Sequence, residues 1–256
     1  MSITADTPSL EGVHIFYVHH SLVWDQIGDP RFFLDMIHPA QESLGAKHPG
    51  RQREKIMGRA LIAAALSWLL NLPAPYFEVT LKPSGKPVLA QGMPPLFFNL
   101  SHAKDVIVLA VSRDFDLGVD VEDGGRRVDL AIADRFFSPR EQEQLKALPR
   151  DIQSKKFLEL WTLKEAYAKA VGEGISDGSL GGSGFDLSAS PFGFFRSGAR
   201  VAPEKVRFLK GYLPSQSPLA LCLLPGDEKL PRVSLWEWSS PTHGFVRRSW
   251  DFETNL

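Results

Sequence analysis

The chain has 256 residues, 43% of them hydrophobic, enough to bury one large core or two small ones. A formal net charge of −1 with 23% charged residues excludes a whole-molecule field that would recruit nucleic acid or an anionic membrane, so anion recognition has to be local. The one cysteine, Cys222, lies in an apolar run and excludes an internal disulfide or a cysteine-based zinc cluster. No window holds the roughly 18 unbroken apolar residues of a membrane span, and the amino terminus has no basic region leading into an apolar stretch; the expected compartment is the cytoplasm.

Val13 to Val18 reads as a first strand, and Trp24 to Gly50 as loop with one short helix. From Arg51 to Leu70 the positions Ile56, Leu61, Ala64, Ala65, Trp68 and Leu69 recur at helical spacing until Pro73 ends the run. Strands follow at Phe77 to Lys82, Pro87 to Ala90, Phe97 to Leu100 and Val106 to Ser112, divided by Pro- and Gly-containing turns. The pattern then repeats coarsely. A helix from about Ile152 to Val171, closed by Gly172, precedes strands near Phe185, Val206 to Leu213 and Pro218 to Leu224. The glycine-rich link Gly178 to Gly184 is expected to be a mobile surface loop, and Val233 to Trp238 an added strand whose Trp-rich tail packs back on the core. This predicts an α+β fold of two similar lobes, residues 1–114 and 115–256. Each is a long helix on a small, mainly antiparallel sheet, with the site between them.

Between Leu117 and Glu122 apolar and acidic residues alternate, so a strand pointing Val119 and Val121 inward projects Asp120 and Glu122 together from its other face. A solvated strand face would give the same alternation. On the second long helix Phe157, Trp161, Glu165 and Lys169 follow at four-residue spacing, making Glu165 and Lys169 neighbours on a side whose aromatics mark it as facing protein. An ordinary surface pair is the alternative there. Three carboxylates in one volume repel unless a cation joins them, and an all-oxygen set suits magnesium, or manganese, better than zinc.

Magnesium completes its shell with phosphate and water, which raises the question of where phosphate is held. Asn99-Leu100-Ser101-His102, read as a strand ending at a turn, offers a hydroxyl, an imidazole and free backbone donors; Lys86, in Gly85-Lys86-Pro87, adds a cation. Lys47, His48, Arg51, Arg53, Lys55 and Arg59 surround the start of the first long helix, either as a solvated face or as a dock for a further phosphate. Ser138-Pro139-Arg140-Glu141 reads as a capping box with proline at the first helical position.

The ordered set Gly85-Lys86-Pro87, Asn99-x-Ser101-His102, Gly118-x-Asp120-x-Glu122 and Trp161-x-x-Lys164-Glu165-Ala166-x-x-Lys169 resembles the Sfp-type 4′-phosphopantetheinyl transferase family. Similarity runs from about Arg51 to Gly174 and includes Phe136-Phe137-Ser138 and Glu141. Ala103 and Ala63 depart from it, standing where many relatives carry a polar residue and an arginine. The resemblance implies a pseudo-twofold fold with coenzyme A between the lobes. It also implies holo-[acyl carrier protein] synthase chemistry: transfer of the phosphopantetheine arm to a serine of an apo acyl, peptidyl or aryl carrier protein, releasing adenosine 3′,5′-bisphosphate.

By the same resemblance Asp120, Glu122 and Glu165 would hold Mg²⁺ (or Mn²⁺), while Lys86, Ser101, His102, Lys164 and Lys169 would contact the phosphates, with Pro87 and Asn99 in the same binding motifs. Arg53 and Arg59 would serve the nucleotide end, and Glu165, Lys169 and His102 would carry catalysis. Arg126, Arg127, Lys155 and Lys156 are candidates for the rim of the carrier dock, with solvated surface charge as the alternative reading. Neither nucleic acid nor membrane is an expected partner, and two internal lobes make a monomer sufficient. The rivals are a magnesium-dependent phosphohydrolase or nuclease, which would need a broader basic track, and a non-catalytic carrier-binding module.

Overall fold

Alternation along the first strand, β1 (Val13–His19), decides how the layers stack. The computed structural model describes residues 9–41, 49–83, 85–172, 183–196, 205–224, 230–240 and 244–255. After β1 come α1 (His20–Ile27), ended by Gly28 in the left-handed region at φ 69°, and α2 (Pro30–Leu34), capped by the Asp29 side chain on the Arg31 amide. Among its described residues, the stretch read as loop with one helix thus carries two short α-helices and a 3-10 turn, Pro39–Gln41, all too short to show a periodic signal. Next are α3 (Pro49–Leu70), the hairpin β2 (Val79–Leu81) and β3 (Pro87–Leu89), then β4 (Phe97–Ala103), β5 (Val106–Ser112) and β6 (Asp116–Val121). The helices α4 (Ile132–Phe136), α5 (Pro139–Lys146) and α6 (Arg150–Val171) follow, then the hairpin β7 (Ser183–Asp186) and β8 (Gly193–Arg196). The chain continues through β9 (Arg207–Tyr212), β10 (Pro218–Leu224), β11 (Val233–Ser240), β12 (Gly244–Arg248) and β13 (Phe252–Thr254).

Two sheets form the centre. The first has the order β12-β11-β1-β5-β4 and the second β13-β9-β10-β6; all pairings are antiparallel except that of β1 with β11. On one face of the first sheet Phe16, Val18, Ile107 and Leu109 pack with Met57, Leu61 and Ala65 of α3. The opposite face, Val13, Ile15, Tyr17, Val106 and Val108, meets Leu117, Val119, Val121, Leu219 and Leu221 of the second sheet. Beyond it, Ala220 and Cys222 pack on Leu163, Ala166 and Ala170 of α6. The layers run helix, sheet, sheet, helix, and each long helix has 22 residues. Strands covered on both sides read as unbroken apolar runs, as β5 and β10 do.

The added strand at Val233 to Trp238 exists as β11 and joins β1 in parallel, so residues 233–248 complete the first sheet, while β13 adds to the second. Of the glycine-rich link, residues 178–182 lie outside the described residues, as do Lys47 and His48. Among the described residues no helix is long and apolar enough to cross a membrane.

Candidate active site

The site forms where β6 and α6 touch. A side chain at Gly118 would put its Cβ 2.1 Å from the carbonyl oxygen of Ala166 and 2.4 Å from the amide nitrogen of Ala170, so only glycine lets helix backbone lie directly on the strand. That approach brings Lys169 Nζ to 2.6 Å from Asp120 Oδ1, 2.8 Å from Ser101 Oγ and 3.3 Å from the Val119 carbonyl. Asp120 is 4% exposed, and its second oxygen, Oδ2, is buried with no hydrogen-bond partner among the described residues.

Glu165 lies one turn before Lys169 and is likewise buried. Burial first, then the charge of Asp120, push its pKa up from 4.5 to about 7; Lys169 opposes the rise and Glu122 adds to it. Burial also raises the Glu122 carboxyl, against the Arg126 guanidinium 2.8 Å from its Oε2. The three acids picked out in the sequence are therefore electrostatically coupled. Arg126, a candidate for the carrier dock, neutralises one of them.

Strand β4 does not end at a turn after Leu100. It continues through Ala103, with Ser101 opposite Val108 and His102 opposite Ile107 of β5, so the backbone donors expected to be free there belong to a strand. Period-two alternation then sends Ser101 and His102 to opposite faces. Asn99 and Ser101 turn towards β6: the Val119 amide donates to Asn99 Oδ1 at 3.0 Å, the Val121 amide to Ser101 Oγ at 3.4 Å, and the Ser101 hydroxyl to Asp120 Oδ1 at 2.7 Å.

His102 turns to a cleft of about 900 Å³ between α3, β4 and the β2–β3 hairpin, whose lining includes Arg51, Lys55, Arg59, Gly85 and Pro87. Its Nε2 lies 2.6 Å from Glu54 Oε1, a partner that no sequence pattern announced. The side chain is 62% exposed, yet the surrounding walls hold the ring below its usual pKa, a direction that Lys169 reinforces and Asp120 opposes. Arg59 lines the same cleft, where burial lowers its pKa and Nη1 has no partner among the described residues.

Three predicted phosphate or nucleotide contacts point elsewhere. Lys164 is fully buried; its ammonium lies 2.9 Å from Glu141 Oε2 and 2.5 Å from the Ser183 carbonyl, so a solvent-borne phosphate has no path to it. Glu141 also closes the capping box on Ser138 and accepts from the Phe185 amide at 2.9 Å. Lys86 lies 2.5 Å from Asp116 and 3.1 Å from the Ala170 carbonyl, tying the β2–β3 hairpin to the end of α6. Arg53 donates to the Ser21 carbonyl at 2.8 Å and covers the Trp24 ring, pinning α1 to α3. In each case the acid or carbonyl opposite the basic residue is distant in sequence, so no local pattern shows it.

Residues 116–217, from β6 to the β9–β10 turn, match the model of the 4′-phosphopantetheinyl transferase superfamily. The chain is 40% identical over 126 residues to the 4′-phosphopantetheinyl transferase psf-1 of Bacillus pumilus, covering 49% of this chain and 53% of the relative. It is 36% identical over 131 residues to HetI of Nostoc sp. (50% and 55%), and 28% over 146 residues to Sfp of Bacillus subtilis strain 168 (56% and 64%), both named 4′-phosphopantetheinyl transferases. The chain spans about half the length of the first two of these relatives and somewhat more of the third.

The matched segment carries Asp120, Glu122, Glu165 and Lys169, whereas Asn99, Ser101 and the cleft residues of α3 come from outside it. Among the described residues no three carboxylates or imidazoles are gathered as a ready metal cage. Magnesium is ordinarily held by one or two carboxylates, with phosphate and water completing its shell. The orphaned Asp120 Oδ2 and the mutually repelling Glu165 fit that sparser demand.

Proposed function

We propose that the chain transfers the 4′-phosphopantetheine moiety of coenzyme A to a serine of an apo acyl, peptidyl or aryl carrier protein, as an Sfp-type holo-[acyl carrier protein] synthase of the cytoplasm. The observation that carries this reading is the gathering of Asp120, Glu165 and Lys169 at the β6–α6 contact, with His102 linking them electrostatically to the basic cleft beside α3.

In the transfer the serine oxygen forms a bond to the phosphorus bearing pantetheine, the pyrophosphate P–O bond breaks, and adenosine 3′,5′-bisphosphate leaves. Glu165, directly or through a bound water, accepts the serine proton, from its place one turn before Lys169 at the β6–α6 contact. Lys169 and His102 stabilise charge on the phosphate oxygens, and Arg59 with Arg51 and Lys55 receives the nucleotide end. Asp120 and Glu165, with Glu122 as third ligand, would hold magnesium or manganese, which neutralises pyrophosphate charge when bound. Lys86, Ser101 and Lys164 hold the surrounding structure in register, and Asn99, Pro87 and Arg53 support it. The two halves, residues 1–114 and 115–256, form the lobes flanking this site, with the tail lent back to the first, and a single chain suffices for the reaction.

The test is mass spectrometry of several apo carrier proteins incubated with coenzyme A, with and without magnesium. A gain of one phosphopantetheine, dependent on the metal, is expected. No gain on any carrier, together with cleavage of plain DNA or RNA, would put the chain among metal-dependent nucleases.

A further inference from the structure

Strand β6 is the edge of the second sheet, paired with β10 on one side alone. Antiparallel pairing leaves every second residue of an edge strand with its N–H and C=O directed away from the sheet, and in β6 these are Leu117, Val119 and Val121; the Leu117 amide donates to Asp116 Oδ1 at 2.8 Å, which leaves Val119 and Val121 to be satisfied. Both are buried, where an unpaired backbone group costs about as much as a lost hydrogen bond. Among the described residues no strand backbone answers them. Instead Asn99 Oδ1 accepts the Val119 amide, Ser101 Oγ accepts the Val121 amide, and Lys169 Nζ donates to the Val119 carbonyl. The spacing of two between Asn99 and Ser101 matches the spacing of two between the amides they satisfy, so the motif is a side-chain rung laid along an open sheet edge.

Asp120 sits between those two amides. Its carboxylate is fixed from the same source, because the Ser101 hydroxyl and Lys169 both bind Oδ1 and leave Oδ2 as the oxygen without a partner. We infer that Asn99 and Ser101 are positioning residues that staple β6 to β4 and set the Asp120 carboxylate, rather than contacts to the phosphates of the substrate. The assignment rests on the proposed reading of Asp120 as a metal ligand; the staple itself is independent of it.

Amide exchange resolved by NMR on the intact protein reads the staple without any activity. Asn99→Ala should speed exchange at Val119, and Ser101→Ala at Val121, by about fivefold or more relative to β10 amides. Unchanged exchange at both overturns the staple. In steady-state transfer, Ser101→Ala should lower kcat and raise the magnesium needed for half-maximal rate, each by about tenfold. The KM for coenzyme A should stay within about twofold, and Ser101→Thr should restore both quantities because it keeps the hydroxyl. A raised KM with kcat and magnesium requirement unchanged would mean that the hydroxyl binds phosphate, and overturns the assignment. If Ser101→Ala fails to fold, Ser101→Cys, of similar size with a weaker acceptor, carries the same readouts. If the wild-type protein modifies no carrier, the transferase reading fails while the exchange data still decide the staple.

Discussion

Glu165 combines burial with two like charges, which makes its ionisation a cost to the fold as well as an asset to chemistry. The folded chain binds this proton more tightly than the unfolded one, with pKa about 7 against 4.5. Stability is therefore undiminished below pH 4.5 and falls as pH rises towards 7, by on the order of 3 kcal/mol in full, shared with the coupled acids. Without metal, Glu165→Gln should melt several degrees above wild type at pH 8 and with it at pH 4. Adding magnesium at pH 8 should raise the wild-type Tm more than that of the variant. A lower Tm for the variant at pH 8 would show that the carboxylate is not strained. Lys164, next in sequence, carries the opposite expectation. Lys164→Met strands the fully buried Glu141, and urea unfolding should report a loss of about 3–5 kcal/mol. Unchanged stability with a raised KM for coenzyme A would return Lys164 to the phosphates.

At the scale of elements, the decisive fact is that β6 and α6 meet backbone to backbone. In Gly118→Ala the new methyl overlaps the Ala166 carbonyl and the Ala170 amide, neither of which can rotate aside. Strand and helix must part by about 1 Å, enough to cost about 1–3 kcal/mol and about a hundredfold in rate. Thermal melts and single-turnover transfer would read the two separately. A variant with wild-type turnover would mean that the 2.6 Å contact between Lys169 and Asp120 is dispensable. The alternation of β6 and the four-residue spacing of α6 made the faces of Asp120, Glu165 and Lys169 legible in the sequence, since both depend on local geometry alone. Partners were not legible. Nothing near Lys164 in sequence points to Glu141 on α5, nor anything near His102 to Glu54, and the extension of β4 past Leu100 depends on pairing with β5.

At the scale of the whole molecule, the layers are more entangled than a division at residue 114 suggests. The first sheet takes β11 and β12 from the carboxy-terminal tail, two of its five strands, and β11 lies between β12 and β1. Trp236 and Trp238 bury in the core under α3, so a fragment of residues 1–114 would expose that core and the flank of β1. The second sheet is no more independent, because the face of β6 and β10 turned from α6 is covered by β1 and β5. The order of β1 and β11 in chain and space also explains why sequence pattern could not place the tail, since their pairing spans nearly the whole chain. The expected behaviour is one cooperative transition for the full chain, with calorimetric and circular dichroism midpoints coinciding. Fragments 1–114 and 115–256 should show no cooperative melt alone and should recover one when refolded together. A sharp calorimetric transition in isolated 1–114 would mean that the tail is an accessory to a lobe already stable. The site at the β6–α6 contact would then rest on docking of two preformed halves instead of on their joint folding.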